Sequence, residues 1–303
     1  MKKVLVVQFS QSGQLTDILH HLVTPLVEDS AVELSYYTIS IERSFPFPWD
    51  KASFFDAFPE SFLQIPYDLK DPQNEVLYQK YDLVILAYQV WYLSPSIPMN
   101  SFLKSPQAKR LLKDTEVVTV IGARNMWALA QEKVKKQLLE VGARLKGNIV
   151  LVDRNINHIS VITIVQWMFT GKKEKYLGVF PKPGVAQSEI EGAGKFGRVM
   201  QSYLHEKGTD LQPALLEQGA VEIRPFLIEM DQKANKMFKI WANLIIKKKA
   251  SRPTWLKVFN VYLFVAIWFI SPLVYLIYLL KRPFINTKIK KLKAYYQGVK
   301  TYV

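Results

Sequence analysis

KKVLVVQFSQSGQLTDILHHLVTPL, residues 2–26, reads as a buried strand, a tight hydroxyl-rich loop and a helix, and that order sets the fold class. Residues 3–9 are Val-rich and alternate only weakly, which suits a strand covered on both faces. Leu15, Ile18, Leu19, Leu22, Val23 and Leu26 follow at spacings of three and four, the apolar stripe of a helix lying on a sheet. Residues 32–39, 83–87, 117–121 and 149–152 read as four further strands. A helix is expected over 126–141, with Leu129, Val134, Leu138 and Val141 on one side, and a closing helix near 193–205. Strands alternating with helices imply right-handed crossovers and a parallel sheet. The expectation is an α/β, doubly wound, five-stranded parallel sheet in the order 2-1-3-4-5, which binds ligands beyond the carboxyl ends of its strands.

Two stretches exceed a minimal fold of this type. Residues 44–72 are rich in Phe and Pro (Phe45-Pro46-Phe47-Pro48-Trp49, then Phe54, Phe55 and Phe58), and residues 158–183 delay the closing helix as a second long loop. Both suit an apolar tunnel wall, and equally a patch on the sheet edge or an oligomer interface. The boundaries read as a domain over 1–207, a helical extension over 208–254 that includes an amphipathic helix at 226–246, and an apolar helix with a basic tail over 255–303.

The chain of 303 residues has a net charge of +14, and nucleic acid would be its usual meaning. Its distribution excludes that reading. Residues 232–303 hold 15 of the 40 Lys and Arg and none of the 26 Asp and Glu, so the preceding 231 residues are near neutral. Within this tail, residues 261–280 carry no charge and are flanked by Lys247-Lys248-Lys249 and Lys281-Arg282, which points to an anionic membrane surface. The segment is long enough to cross a bilayer, and could instead lie in one leaflet or pack on the body and cover a lipid-like substrate. Pro272 near its middle counts against a straight helix, and positive charge on both sides gives no clear orientation signal. The amino terminus shows no signal-peptide pattern, so the expected location is cytoplasmic, against the inner face of the membrane through 255–303. Cysteine is absent, which removes disulfides, thiol nucleophiles and thiolate metal sites; no metal is expected.

Three loops carry the chemistry. Ser10, Gln11, Ser12, Gly13, Gln14, Leu15 and Thr16 offer hydroxyls, a glycine and the free amides of a helix start to a phosphate. The loop has neither the Gly-Lys-Ser/Thr of a P-loop nor a G-x-G-x-x-G turn; an ordinary Ser-rich helix cap is the alternative. After the third strand, Val90, Trp91, Tyr92 and Leu93 precede Ser94-Pro95-Ser96-Ile97-Pro98, where the aromatic pair either stacks on a planar ring or packs beneath the loop. After the fourth, Gly122, Ala123, Arg124 and Asn125 suit a pyrimidine-like edge, though Arg124 could serve as a surface or cap residue.

Together these loops resemble the three FMN-contacting loops of the flavodoxin-like superfamily, over about residues 1–205. Leu15 stands where that superfamily commonly has a hydroxyl, with Thr16 next. The opening residues 7–17, the insertion Phe45-Pro46-Phe47-Pro48-Trp49 and Ile121-Gly122-Ala123-Arg124-Asn125-Met126-Trp127 are similar to the bacterial dialkylresorcinol-forming aromatases. That resemblance implies oxidation of a lipophilic 2,5-dialkylcyclohexane-1,3-dione to a 2,5-dialkylresorcinol, with FMN as hydride acceptor and a ketosynthase as pathway partner. Arg124 or Asn125 would stabilise the enolate, and His158 is the candidate base, although a lone His is more often structural. His20 and His21 are expected on the first helix surface and His205 near the end of the closing helix. A membrane-associated electron-transfer protein or quinone reductase, and a cofactor-free scaffold, are the other readings; a homo-oligomer is compatible with each.

Overall fold

The computed structural model of the chain describes residues 1–206 and 210–300. Six strands form one sheet: β1 (Lys2–Gln8), β2 (Val32–Thr38), β3 (Leu83–Trp91), β4 (Ser94–Pro95), β5 (Glu116–Ala123) and β6 (Arg144–Val152). Five are parallel in the spatial order β2-β1-β3-β5-β6, the flavodoxin-like order expected from the sequence. The sixth, β4, is a two-residue antiparallel return onto β3 that propensity alone does not announce.

Val4 to Val7 are fully enclosed, as are Leu83 to Tyr88, because helices cover both sheet faces. α1 (Gln14–Val27) buries Leu15, Ile18, Leu19, Leu22, Val23 and Leu26. It packs beside α9 (Gly194–His205), the closing helix, whose sequence reading was within a residue of its bounds. α6 (Ala128–Glu140) covers the sheet farther along.

The first insertion carries α2 (Lys51–Asp56) and α3 (Phe58–Leu63) and is pinched at its base by the bridge between Ile41 and Leu69. α4 (Ile97–Leu103) and α5 (Pro106–Leu112) lead from β4 to β5. The second insertion departs from the expected loop. Residues Asn157–Thr170 form α7, a helix apolar on most sides, so its sequence lacks the polar stripe that would have marked it. The two insertions are joined where the Trp49 amide donates to the Met168 carbonyl at 2.8 Å.

Beyond α8 (Gln187–Glu191) and α9, α10 (Leu211–Glu217) leads to α11 (Pro225–Lys247). The expected domain boundary at 207/208 lies outside the described residues. The boundary at 254/255 falls inside α12 (Arg252–Val265), which continues through a π-helical turn, Ala266–Ile270, into α13 (Ser271–Lys281). α11 and this long helix run antiparallel, since Phe226 meets Tyr275 and Tyr278 at one end while Trp241 meets Trp255 and Tyr262 at the other. A second core fills the space beneath them, with Phe259 stacked on Phe58 at 3.8 Å. α14 (Asn286–Gln297) returns to the body, where the Tyr295 hydroxyl donates to Glu132 and Tyr296 is buried.

Asp231 of α11 shows how the extension is tied in: its carboxylate accepts from the Leu129 amide at the start of α6 at 3.0 Å. Burial pushes its pKa up to about 6 against these hydrogen bonds. A carboxyl raised in the fold is penalised fully above that value, and the penalty fades as pH falls toward the unfolded value near 3.8. The gap corresponds to roughly 3 kcal/mol. Stability should therefore gain a component on acidification from pH 7 to 4 that Asp231→Asn removes, as measured by denaturant unfolding across pH; identical pH slopes would reject it.

Candidate active site

β1, β3 and β5 are neighbours, so the three loops expected to act together do meet at their carboxyl ends. Gly13 caps α1 at φ +82°, a left-handed conformation that favours glycine, and no side chain caps the helix. The first amides of α1 are thus left to a ligand or water. The Ser10 hydroxyl is buried without a partner, and Ser12 faces the cavity described below. These features fit an anionic phosphate. Two hydrogen bonds set the loop's path: the Gln11 amide donates to Gln89 Oε1 at 3.0 Å, and Gln14 Oε1 accepts from the Val185 amide at 3.1 Å. Leu15 is core, lying 3.2 Å from the place a Cβ on Gly122 would occupy, so Gly122 is demanded by close packing. The Thr16 hydroxyl donates to Gln8 Oε1 instead of facing the cavity.

In the second loop, Tyr92 and Leu93 join β3 to β4 with φ of +48° and +60°, the two positive angles of a primed hairpin turn, here without glycine. Such strain persists where surrounding contacts fix it. Those contacts are the Tyr92 hydroxyl donating to the Phe54 carbonyl and Leu93 entering the second core, so Leu93 does not reach the cavity. Trp91 does, held edge-on by Phe45 and Trp49 with centroids 5.2 Å away in each case. Val90 lies alongside it.

In the third loop, Gly122, Ala123 and Arg124 line the cavity. Arg124 Nη1 donates to Asn157 Oδ1 at 2.9 Å, and burial pushes its guanidinium down to about 10 while Asp153 pulls upward, leaving it cationic at neutral pH. Asn125 donates to the same Asn157 oxygen, while its own Oδ1 is buried and unpartnered.

The cavity these loops share measures about 910 Å³ and is walled by residues from both insertions and from α12. A volume at the upper end for small-molecule sites, with few polar groups among many apolar ones, suits a planar ligand beside a lipophilic one. Asn260, Leu263, Phe264, Ile267 and Trp268 supply a further wall; packing on the body over a substrate was one of three placements open for the apolar run, but none of these residues was singled out. Their only sequence signal is an amide and an indole within an apolar run.

His158 requires correction as the expected base. It does not line the cavity; its Nε2 lies 3.1 Å from the Ile267 carbonyl and its ring rests on Trp268. The reason lies in the π-helical turn, where Ser271 donates to Ala266 five residues back. The next donor in that ladder would be residue 272, and Pro272 has no N–H. The freed Ile267 carbonyl takes its hydrogen from His158, which fixes the proton on Nε2. His158→Ala should therefore leave ligand binding intact and cost about 1–3 kcal/mol by orphaning a carbonyl. In a Pro272→Ala background, which restores a donor, the cost should shrink. Equal destabilisation in both backgrounds, read by thermal unfolding in detergent, would refute the account.

Among the described residues no cluster of His, Asp and Glu is arranged to hold a metal. No family model and no curated protein matches the chain. Among solved structures, the chain is similar to a flavoprotein from Lactobacillus acidophilus in complex with FMN, at 19% identity, with 50% of this chain and 93% of that one covered and a TM-score of 0.35. It is also similar to oxidised flavodoxin 1 from Bacillus cereus, at 15% identity, with 65% and 95% covered and a TM-score of 0.33. RosB, with a bound 8-demethyl-8-formylriboflavin-5'-phosphate intermediate, matches at 12% identity, with 74% and 92% covered and a TM-score of 0.40.

Proposed function

We propose that the chain is an FMN-dependent, membrane-associated oxidoreductase that aromatises a 2,5-dialkylcyclohexane-1,3-dione to a 2,5-dialkylresorcinol. The observation that carries this reading is the single cavity bounded by an uncapped, hydroxyl-bearing helix start on one side and by apolar α7 and α12 on the other. Bound there, FMN would accept the hydride that leaves the dione ring, while a proton leaves to solvent and enolisation completes the resorcinol.

Residues of this chain do the rest. Ser10, Ser12 and the first amides of α1 hold the phosphate. Arg124, cationic and half-buried at the cavity wall, stabilises negative charge on a ring oxygen or at the edge of the planar cofactor. The aromatic insertion and α12 form the apolar wall that receives alkyl chains. Claisen-type condensation is the class of reaction that would supply such a dione, which is why a ketosynthase is the proposed partner. A cavity of this size with mostly apolar walls favours a substrate-binding enzyme over an electron carrier, which needs only an accessible flavin edge.

The reading is tested by purifying yellow protein, identifying the released cofactor as FMN, and following anaerobic bleaching on adding the dione. Bleaching by a quinol or by a protein donor alone would leave a quinone reductase or a carrier. Trp91→Ala should alter flavin absorbance and fluorescence and weaken binding about tenfold, as one aromatic contact is lost; an unchanged spectrum and affinity would assign Trp91 to packing alone.

A further inference from the structure

α12 and α13 are buried along one face only. Phe259, Ser271 and Tyr278 face the body, whereas Val261, Phe264, Phe269, Leu273, Leu276 and Leu280 form an exposed apolar stripe on the opposite face. A surface helix in water carries polar residues there. The 36-residue segment Lys249–Phe284 is long and apolar enough to cross a membrane, yet both its ends are fastened to the same body. At one end Arg252 donates to Glu60 through both terminal nitrogens and to Asp56 through Nε. At the other, α14 is held where Gln212 donates to the Gln297 carbonyl at 2.7 Å. A helix whose two ends return to one body cannot place them on opposite sides of a bilayer.

The cavity reaches this same surface. Phe264 and Val165 both line it, yet are 57% and 45% exposed. Beside them, the loop after α7 holds out Leu177 and Val179, at 72% and 81% exposed, among Lys172, Lys175 and Lys182. Exposed lysines also flank the stripe at Lys247, Lys248, Lys249 and Lys281.

We propose that α12 and α13 lie in the plane of one anionic leaflet, and that the gap between α7 and α12, flanked by Val165 and Phe264, loads the cavity directly from the hydrocarbon. This deepens the membrane-associated reading and rests on it. Positive charge at both ends of the apolar run then has a simple cause, since both ends meet the same headgroup layer.

The test uses the full chain, whose lack of cysteine permits single-cysteine variants. Protein is mixed with sealed vesicles of phosphatidylcholine, with or without phosphatidylglycerol. Pelleting should rise at least about tenfold with the anionic lipid and fall with salt. Lys257→Cys and Lys293→Cys, at the two ends, should both react with an impermeant maleimide added outside. Bimane on Phe264→Cys and Leu276→Cys should be quenched by lipids brominated in their acyl chains, and on Lys136→Cys it should not. Protection of one end until detergent is added would show a span and overturn the in-plane placement. Quenching at 276 without quenching at 264 would overturn lateral loading. Protein that stays in the supernatant as a dimer would make the stripe a self-interface and sink the membrane reading itself. None of these readouts depends on bound flavin.

Discussion

Phe259→Ala is expected to lower the unfolding free energy by about 3–5 kcal/mol, the usual cost of removing a fully enclosed phenyl ring. Phe259 has no exposed surface, stacks on Phe58 and touches Phe238 and Trp241. The variant opens a void between the first insertion and the helical hairpin, and neither side can collapse onto it while Arg252 holds α12 to Asp56 and Glu60. Phe269→Ala, a ring 66% exposed on the same long helix, should change stability in detergent by less than about 0.5 kcal/mol. Denaturant unfolding of both variants in detergent checks this. If both are neutral, the apolar helix is a detachable appendage, and a chain ending at Lys249 would fold unaided. If Phe259→Ala alone is costly, a chain ending there should aggregate, because the rings of Phe58, Phe62, Phe238 and Trp241 would lose their cover.

Gly13→Val should abolish flavin retention, a loss of at least about a hundredfold in affinity. No protein atom lies within 4 Å of where a Cβ on Gly13 would stand, so crowding within the chain is not the cause. The φ of +82° is. A β-branched residue there costs about 1–2 kcal/mol in strain or shifts the loop, and a shifted loop withdraws the first amides of α1 from the phosphate. The branched side chain would also stand where a phosphate must approach the backbone. Gly13→Asn, which tolerates left-handed angles, should keep more affinity than Val. Flavin content after gel filtration, with circular dichroism to confirm folding, decides the matter; a folded Val variant that retains FMN at wild-type affinity would remove the loop from the phosphate site.

Local pattern determined the parallel sheet. Val-rich strands buried on both faces, and the stripe from Leu15 to Leu26 that covers them, are properties of neighbouring residues, and they were enough to give the strand order. The same locality made the loops at the ends of β1, β3 and β5 readable, because each directly follows its strand. What the sequence could not carry was which apolar surfaces meet. α7 read as a loop because a helix apolar on most sides has no polar stripe to betray its period. His158 read as a base because its partner, the carbonyl freed by Pro272, lies 109 residues away in sequence. For apolar residues 261–280 a span, an in-leaflet helix and a helix packed on the body stayed equally open, because burial along α11 on one face and exposure on the other are not distinguished by composition. Only the tertiary structure decided that this helix walls the cavity, since its fastening depends on long-range pairs, Arg252 with Glu60 and Tyr295 with Glu132, that no local spacing encodes.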